Sequence, residues 1–153
     1  MNIQIRPADF NDYHQVLNIL EQVHKLHVYL RPDIYKKTNL LMEENVFKEK
    51  IRTGSYYVAE VNGNVVGILD LIFKSIDSLA HNQRKIIIID VIGVDQNHQN
   101  LGIGTKLLDK AKNIKDRNGF DSIELNVNSA NSNAYELYKK YGFTEKSITL
   151  ELK

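Results

Sequence analysis

The hexapeptide Gln99-Asn100-Leu101-Gly102-Ile103-Gly104 places two glycines two apart, between an apolar run over 86–94 and a helix-like segment over 105–118. A strand, a glycine turn and a helix start together make an anion cradle. The first-turn N–H groups of the helix lack intrahelical partners, and the helix dipole adds partial positive charge there. Glycine at 102 and 104 removes the side chains that would hold a phosphate away from those amides.

Two familiar phosphate loops fit poorly. A Walker A loop closes on Gly-Lys-Ser/Thr so that its lysine reaches the terminal phosphates. Here Gly104 is followed by Thr105 and then Lys106, the reverse order. A dinucleotide fingerprint needs a third glycine, and Leu107 stands in its place. Glu124 lies at the distance of the ribose-binding acid, but it falls inside an expected strand rather than at its end.

Composition narrows the setting for this chemistry. At 153 residues the chain fits one domain, residues 1–153, with room for a sizeable core. Twenty basic against nineteen acidic side chains leave a net charge of +1, which speaks against a nucleic-acid binder. The absence of cysteine removes disulfides, thiol nucleophiles and cysteine-rich zinc sites. His24 and His27 are three apart on one expected helix face, yet no third ligand has a foreseeable position and no metal is expected. No apolar run approaches the ~20 residues of a membrane span. The first residues alternate like a strand and lack a signal-peptide h-region. A soluble cytoplasmic protein is expected.

The elements that must position the cradle read as follows. A strand over 2–6 stops at Pro7. A helix over 12–26 carries Tyr13, Val16, Leu17, Leu20 and Val23 at three- and four-residue steps, with Asp9 and Asp12 at its start. Pro32 breaks the chain over 27–38. A second helix spans 42–52 and ends at Gly54. Asn62-Gly63 joins strands over 56–61 and 64–73 as a hairpin, because both residues tolerate positive φ. A polar loop over 74–84 precedes a central strand over 85–94, apolar on both faces across 86–89. After the helix at 105–118, capped by Gly119, come a strand over 122–127 and a short helix over 131–141 closed by Gly142. Alternating Ile148, Leu150 and Leu152 suggest a final strand pair within 143–153.

A third glycine loop matches at every specified position. Gln/Arg-x-x-Gly-x-Gly/Ala after a central strand is the pyrophosphate loop of the GCN5-related N-acetyltransferases, and Gln99, Gly102 and Gly104 reproduce it. A second motif of that family, Asn-x-x-Ala-x-x-Leu-Tyr-x-x-x-Gly-Phe, is matched by Asn131, Ala134, Leu137, Tyr138, Gly142 and Phe143. The order of elements agrees as well, so the chain resembles this family over nearly its whole length. The resemblance implies an α/β fold. Its mixed, mostly antiparallel sheet would have about seven strands, flanked by about four helices and splayed between the fourth and fifth strands.

The family moves the acetyl group of acetyl-coenzyme A to an amine, and the resemblance implies corresponding roles here. Ile92, Gly93 and Val94 would pair with the pantetheine arm, with Gly93 allowing close backbone approach or a bulge. Gln99, Asn100, Leu101, Gly102, Ile103, Gly104 and Thr105 would hold the pyrophosphate. Asn131 and Ala134 would flank the arm, with Asn131 also able to cap the short helix. Tyr138 would give the departing thiolate its proton, and a backbone N–H near Val94 would face the oxyanion. Asp90, four residues before Val94, stands near the family's usual glutamate base; Glu124 is the fallback, and some relatives need no base. The acceptor would meet the 27–37 segment, including His27 and Tyr29, the second hairpin, the final strands and Glu124. The resemblance leaves the amine unidentified, whether small molecule or protein. It implies no nucleic-acid or membrane partner, and it makes a homodimer through the C-terminal strands a reasonable expectation. A non-catalytic acyl-coenzyme A sensor or interaction module on the same fold is the alternative.

Overall fold

The computed structural model describes every residue from Met1 to Lys153. Its sheet runs in chain order: β1 (Gln4–Pro7), β2 (Tyr56–Val61), β3 (Asn64–Ser78), β4 (His81–Val94) and β5 (Ser122–Leu125). The first four strands are antiparallel. β5 returns parallel to β4 through α3 (Ile103–Asn118), as a strand–helix–strand crossover requires. α1 (Tyr13–Leu30) and α2 (Glu44–Arg52) precede β2, and α4 (Ser132–Tyr141) follows β5.

Strand alternation feeds two cores. Val58 and Ile68 join Val16, Ile19, Phe47 and Tyr56 under α1 and α2. Ala59, Leu69, Leu71, Ile87 and Ile89 meet Leu107, Leu108 and Ala111 of α3 on the opposite face. Strands covered on both faces read as continuous apolar runs, which is why 56–73 and 86–89 carry so few polar residues. The α3 stripe is the one its spacing predicts, and Gly119 closes that helix at φ 69°. Asn62 and Gly63 turn the β2–β3 hairpin at φ 51° and 80°.

The N-terminal entry is pinned by charge. Asp12 is buried, and Arg6 grips both its oxygens, Nη1 to Oδ2 at 2.8 Å and Nη2 to Oδ1 at 2.9 Å. The Asp9 N–H donates to Asp12 Oδ2 at 2.8 Å, and Asp9 in turn accepts from Asn11 N–H, closing a capping box. Burial raises the Asp12 carboxyl, but the Arg6 fork and the Asp9 amide outweigh it and hold the group below its ordinary value. A depressed folded value gives stability that is present above the unfolded carboxylate value and lost as pH falls through the folded one. The stability advantage of wild type over Asp12→Asn should therefore shrink below about pH 4, read as urea midpoints at stepped pH.

The structure departs from the sequence expectations in four places. α1 runs to Leu30 rather than ending near 26, because Pro32 restrains only the residue before it. The expected loop over 74–84 is instead an extension of the β3–β4 hairpin, with Ser75 opposite Lys85 and Ile76 opposite Arg84. Polar side chains on both faces hide that strand from any alternation test. β5 stops at Leu125, short of 127. Residues 143–153 form no strand, so the sheet has five strands rather than about seven. That segment is drawn across the molecule by ion pairs: Lys146 to Glu124 (2.6 Å), Glu151 to Arg31 (2.7 Å) and Lys153 to Asp33 (3.5 Å). Of the two readings of Gly93, close approach holds, since a Cβ there would lie 2.6 Å from Val23 Cγ2, while the β4 bulge nearest the site falls at Asp90.

Candidate active site

The cradle is built by the exit of β4. Asp95 N–H makes the last bond to β3, to Val66 O at 2.8 Å. The Asp95 carboxylate then caps the short turn Gln96–His98, accepts from Gln22 Nε2 of α1 at 2.8 Å, and meets His98 Nδ1 at 2.8 Å. Gln22 and His98 together hold Asp95 below the ordinary carboxylate value. Gln22 Oε1 accepts from Gln96 N–H at 2.8 Å, so α1 braces the loop from the side. His98 is thus half-buried and paired.

Beyond this brace, Asn100 (φ 60°) and Gly102 (φ 82°) adopt left-handed backbone on either side of Leu101. Such alternation turns successive N–H groups to one side as an anion nest. Gly102 is the N-cap of α3 and offers no side chain to the first turn; the first helical bond is Lys106 N–H to Gly102 O, 3.1 Å. The amides of Ile103, Gly104 and Thr105 are the orphans of that turn. A Cβ at Gly102 would meet nothing within 4 Å, and the space in front of the loop is open. The loop therefore fits a pyrophosphate through backbone donors alone.

β4 also opens toward β5. The two strands pair only from Ile86↔Ser122 to Ile89↔Leu125. Val91, Ile92, Gly93 and Val94 remain in register with β3, opposite Asp70, Leu69, Ile68 and Gly67. Their other edge has no strand beside it. Gly93 has a steric reason of its own: a Cβ there would lie 2.6 Å from Val23 Cγ2 of α1. Gln99 Nε2 donates to Val94 O at 2.7 Å.

α4 closes the far side of this gap. Asn131 caps it, Oδ1 accepting from Ala134 N–H at 3.4 Å, and Gly142 ends it at φ 125°. A Cβ at Gly104 would stand 3.6 Å from Leu137 Cδ2, so α4 rests against the first turn of α3. Tyr138 packs on the same core cluster as Ile92 and Val94 and meets Phe143 edge-on at 5.8 Å. Burial raises its phenol, which keeps the proton at neutral pH.

The acceptor residues expected from sequence are not gathered in one place. Tyr29 is 81% exposed on α1. His27 packs against Tyr35 with ring centroids 5.0 Å apart, its imidazole pushed toward the neutral form by burial and then by His24. Glu124 is held by Lys146 at 2.6 Å and faces Arg84 at 3.7 Å. It lines a cavity of about 570 Å³ with Lys74, Arg84, Ile88 and Lys146. The long hairpin makes that cavity, so it could not be foreseen while 74–84 read as a loop. Asp90, exposed, lies two residues from Ile88 on the same strand.

Comparison with known proteins agrees with this geometry. The family model described as Acetyltransferase (GNAT) family matches residues 17–143. An uncharacterised N-acetyltransferase of Methanocaldococcus jannaschii is 36% identical over 93 residues, 61% of this chain and 40% of that protein. An N-alpha-acetyltransferase of Sulfurisphaera tokodaii is 32% identical over 126 residues, three quarters (75%) of each. The chain thus spans less than half of the first relative's length. Among solved structures, a mutant of the BH1408 protein of Bacillus halodurans superposes with a TM-score of 0.92 at 25% identity, over 98% of both chains. The splayed strands, the uncapped glycine turn and a family match over most of the chain converge: the protein belongs to the GNAT acetyltransferase family.

Proposed function

We propose that this domain transfers the acetyl group of acetyl-coenzyme A to a primary amine by direct attack in a ternary complex. The observation that carries the reading is the alignment of three features along one gap. The uncapped first turn of α3 stands at one end, the free edge of Val91–Val94 forms the wall, and the protonated Tyr138 phenol packs on the same core cluster as Ile92 and Val94. The backbone amides over 99–105 take the pyrophosphate, and Ile92, Gly93 and Val94 pair with the pantetheine arm. Asn131 and Ala134 flank that arm at the start of α4.

In the transfer, the amine nitrogen bonds to the thioester carbonyl carbon and the carbon–sulfur bond breaks. Tyr138 gives its proton to the departing thiolate, and a backbone N–H near Val94 faces the oxyanion. Asp90 receives the amine's proton through water, its side chain being one methylene too short for the direct contact a glutamate makes. Glu124 is engaged by Lys146 and Arg84 and serves the acceptor cavity instead. The relatives named N-alpha-acetyltransferases make free α-amino peptides the first acceptors to try, and the cytoplasm is the compartment this reading implies.

Acetyl-coenzyme A at about 100 times its dissociation constant should add about 2.7 kcal/mol to folding stability. For a chain of this size that is a Tm rise of about 5–10 °C. No rise at saturation would remove both the enzyme and the acyl-coenzyme A sensor, and release of coenzyme A thiol with an amine panel separates those two.

We also propose that two copies pair through the C-terminal segment. Ile148, Leu150 and Leu152 are 73%, 88% and 100% exposed at alternate positions, the pattern of a strand without a partner. Light scattering should show a dimer that Leu150→Glu dissociates; a monomeric wild type at high concentration would end the idea.

A further inference from the structure

One buried hydroxyl has no partner in the fold. Tyr56 opens β2 and is 1% exposed, its ring against Phe47 at 5.3 Å, yet its hydroxyl has no hydrogen-bond partner. A buried donor left unpaired costs stability, so the hydroxyl calls for an acceptor within its reach.

Register narrows the acceptor to two carboxylates. Tyr56 is the cross-strand partner of Asp70, and Asp70 is the partner of Val91. The next β3 residue, Leu71, pairs with Ile89, which leaves Asp90 as an extra residue in β4. Such a bulge re-aims the side chain it carries. Both carboxylates act on the phenol: burial is the largest influence raising it, followed by the charges of Asp70 and then Asp90. The two acids differ in commitment. Asp70 is buried and its Oδ1 accepts from Lys50 Nζ of α2 at 2.9 Å. Asp90 is exposed and has no ion-pair partner.

We propose that Tyr56 is a positioning residue for Asp90, its hydroxyl donating to that carboxylate directly or through one water and so fixing it toward the acceptor amine. This rests on the reading of Asp90 as the proton acceptor. The proton path stays balanced: the ammonium proton moves to Asp90 and from there to solvent, while Tyr56 keeps its own.

The test does not depend on knowing the acceptor. In protein labelled with ¹³C at the tyrosine ζ carbon, the resonance lost in Tyr56→Phe is that of Tyr56. Asp90→Asn should move this resonance, and Asp90→Glu should restore it in part. Tyr56→Phe should change Tm little, because the ring that packs against Phe47 is kept. With any amine that supports thiol release, Tyr56→Phe should lower kcat about tenfold at unchanged KM for acetyl-coenzyme A. It should add nothing further in an Asp90→Asn background. A Tyr56 resonance indifferent to Asp90→Asn, or answering to Asp70→Asn instead, overturns the proposal. If acetyl-coenzyme A fails to raise Tm while the resonance still answers to Asp90, the acetyltransferase reading falls and the Tyr56–Asp90 contact stands.

Discussion

Tyr138→Phe should lower kcat for acetyl transfer about 10²-fold while acetyl-coenzyme A binds nearly as well as to wild type. General acid catalysis contributes about 10²–10⁴-fold, and a phenylalanine has no proton to give the thiolate. The ring itself is spared by the substitution. Its packing on the core cluster and its edge-on contact with Phe143 both survive, so Tm should barely change. Burial holds the phenol above its ordinary value, so Tyr138 stays protonated across physiological pH and imposes no alkaline fall in rate below about pH 10. Steady-state thiol release, compared with the acetyl-coenzyme A thermal shift of the same variant, separates chemistry from binding. Wild-type turnover in Tyr138→Phe would remove the residue from the mechanism, and a matching loss of binding would make it a wall of the gap.

Phe47→Ala should cost about 3–5 kcal/mol, a large share of the roughly 5–15 kcal/mol that holds an ordinary domain together. Phe47 is the one buried residue of α2, and it is fully enclosed. Its ring meets Tyr56 at 5.3 Å, Tyr13 at 5.7 Å and Phe10 at 6.4 Å, joining four aromatic residues from three parts of the chain. Losing it opens a cavity under α2 and loosens the helix that brings Lys50 to Asp70. Burial already raises the Asp70 carboxyl against the opposing pull of Lys50, so an escaping lysine strands a poorly solvated group. Urea midpoints for Phe47→Ala and the milder Phe47→Leu should rank in that order. The acetyl-coenzyme A thermal shift should persist in Phe47→Leu, because the cradle is built from β4, α3 and α1 rather than α2. A destabilisation under about 1 kcal/mol in Phe47→Ala would mean that α2 is not anchored by this side chain.

Much of this protein is local in origin and could be read before folding. Gly102 needs its left-handed backbone wherever the chain lies, and Asn62-Gly63 makes the same hairpin turn in isolation as in the sheet. The α3 stripe of Leu107, Leu108, Ala111 and Ile114 names its own buried face. Spacing of this kind depends on neighbours within a turn, and the cradle and both family motifs are made of it.

The remainder depends on which strand lies beside which, and side-chain order does not encode that. The residues over 74–84 look like a loop until each finds its partner across the hairpin, and only then do they wall a cavity around Glu124. Alternating Ile148, Leu150 and Leu152 look like a strand, yet a strand exists only where a ladder partner is within reach, and ion pairs hold the segment elsewhere. The bulge at Asp90 is a one-residue slip between two strands, invisible in either alone, and it brings Tyr56, Asp70 and Asp90 into one electrostatic cluster. The sequence by itself determined the anion cradle and carried the two motifs that mark the family, because both rest on residues within a few positions of one another. The tertiary structure decided the cavity around Glu124 and the bulge at Asp90, because both come from register between distant strands.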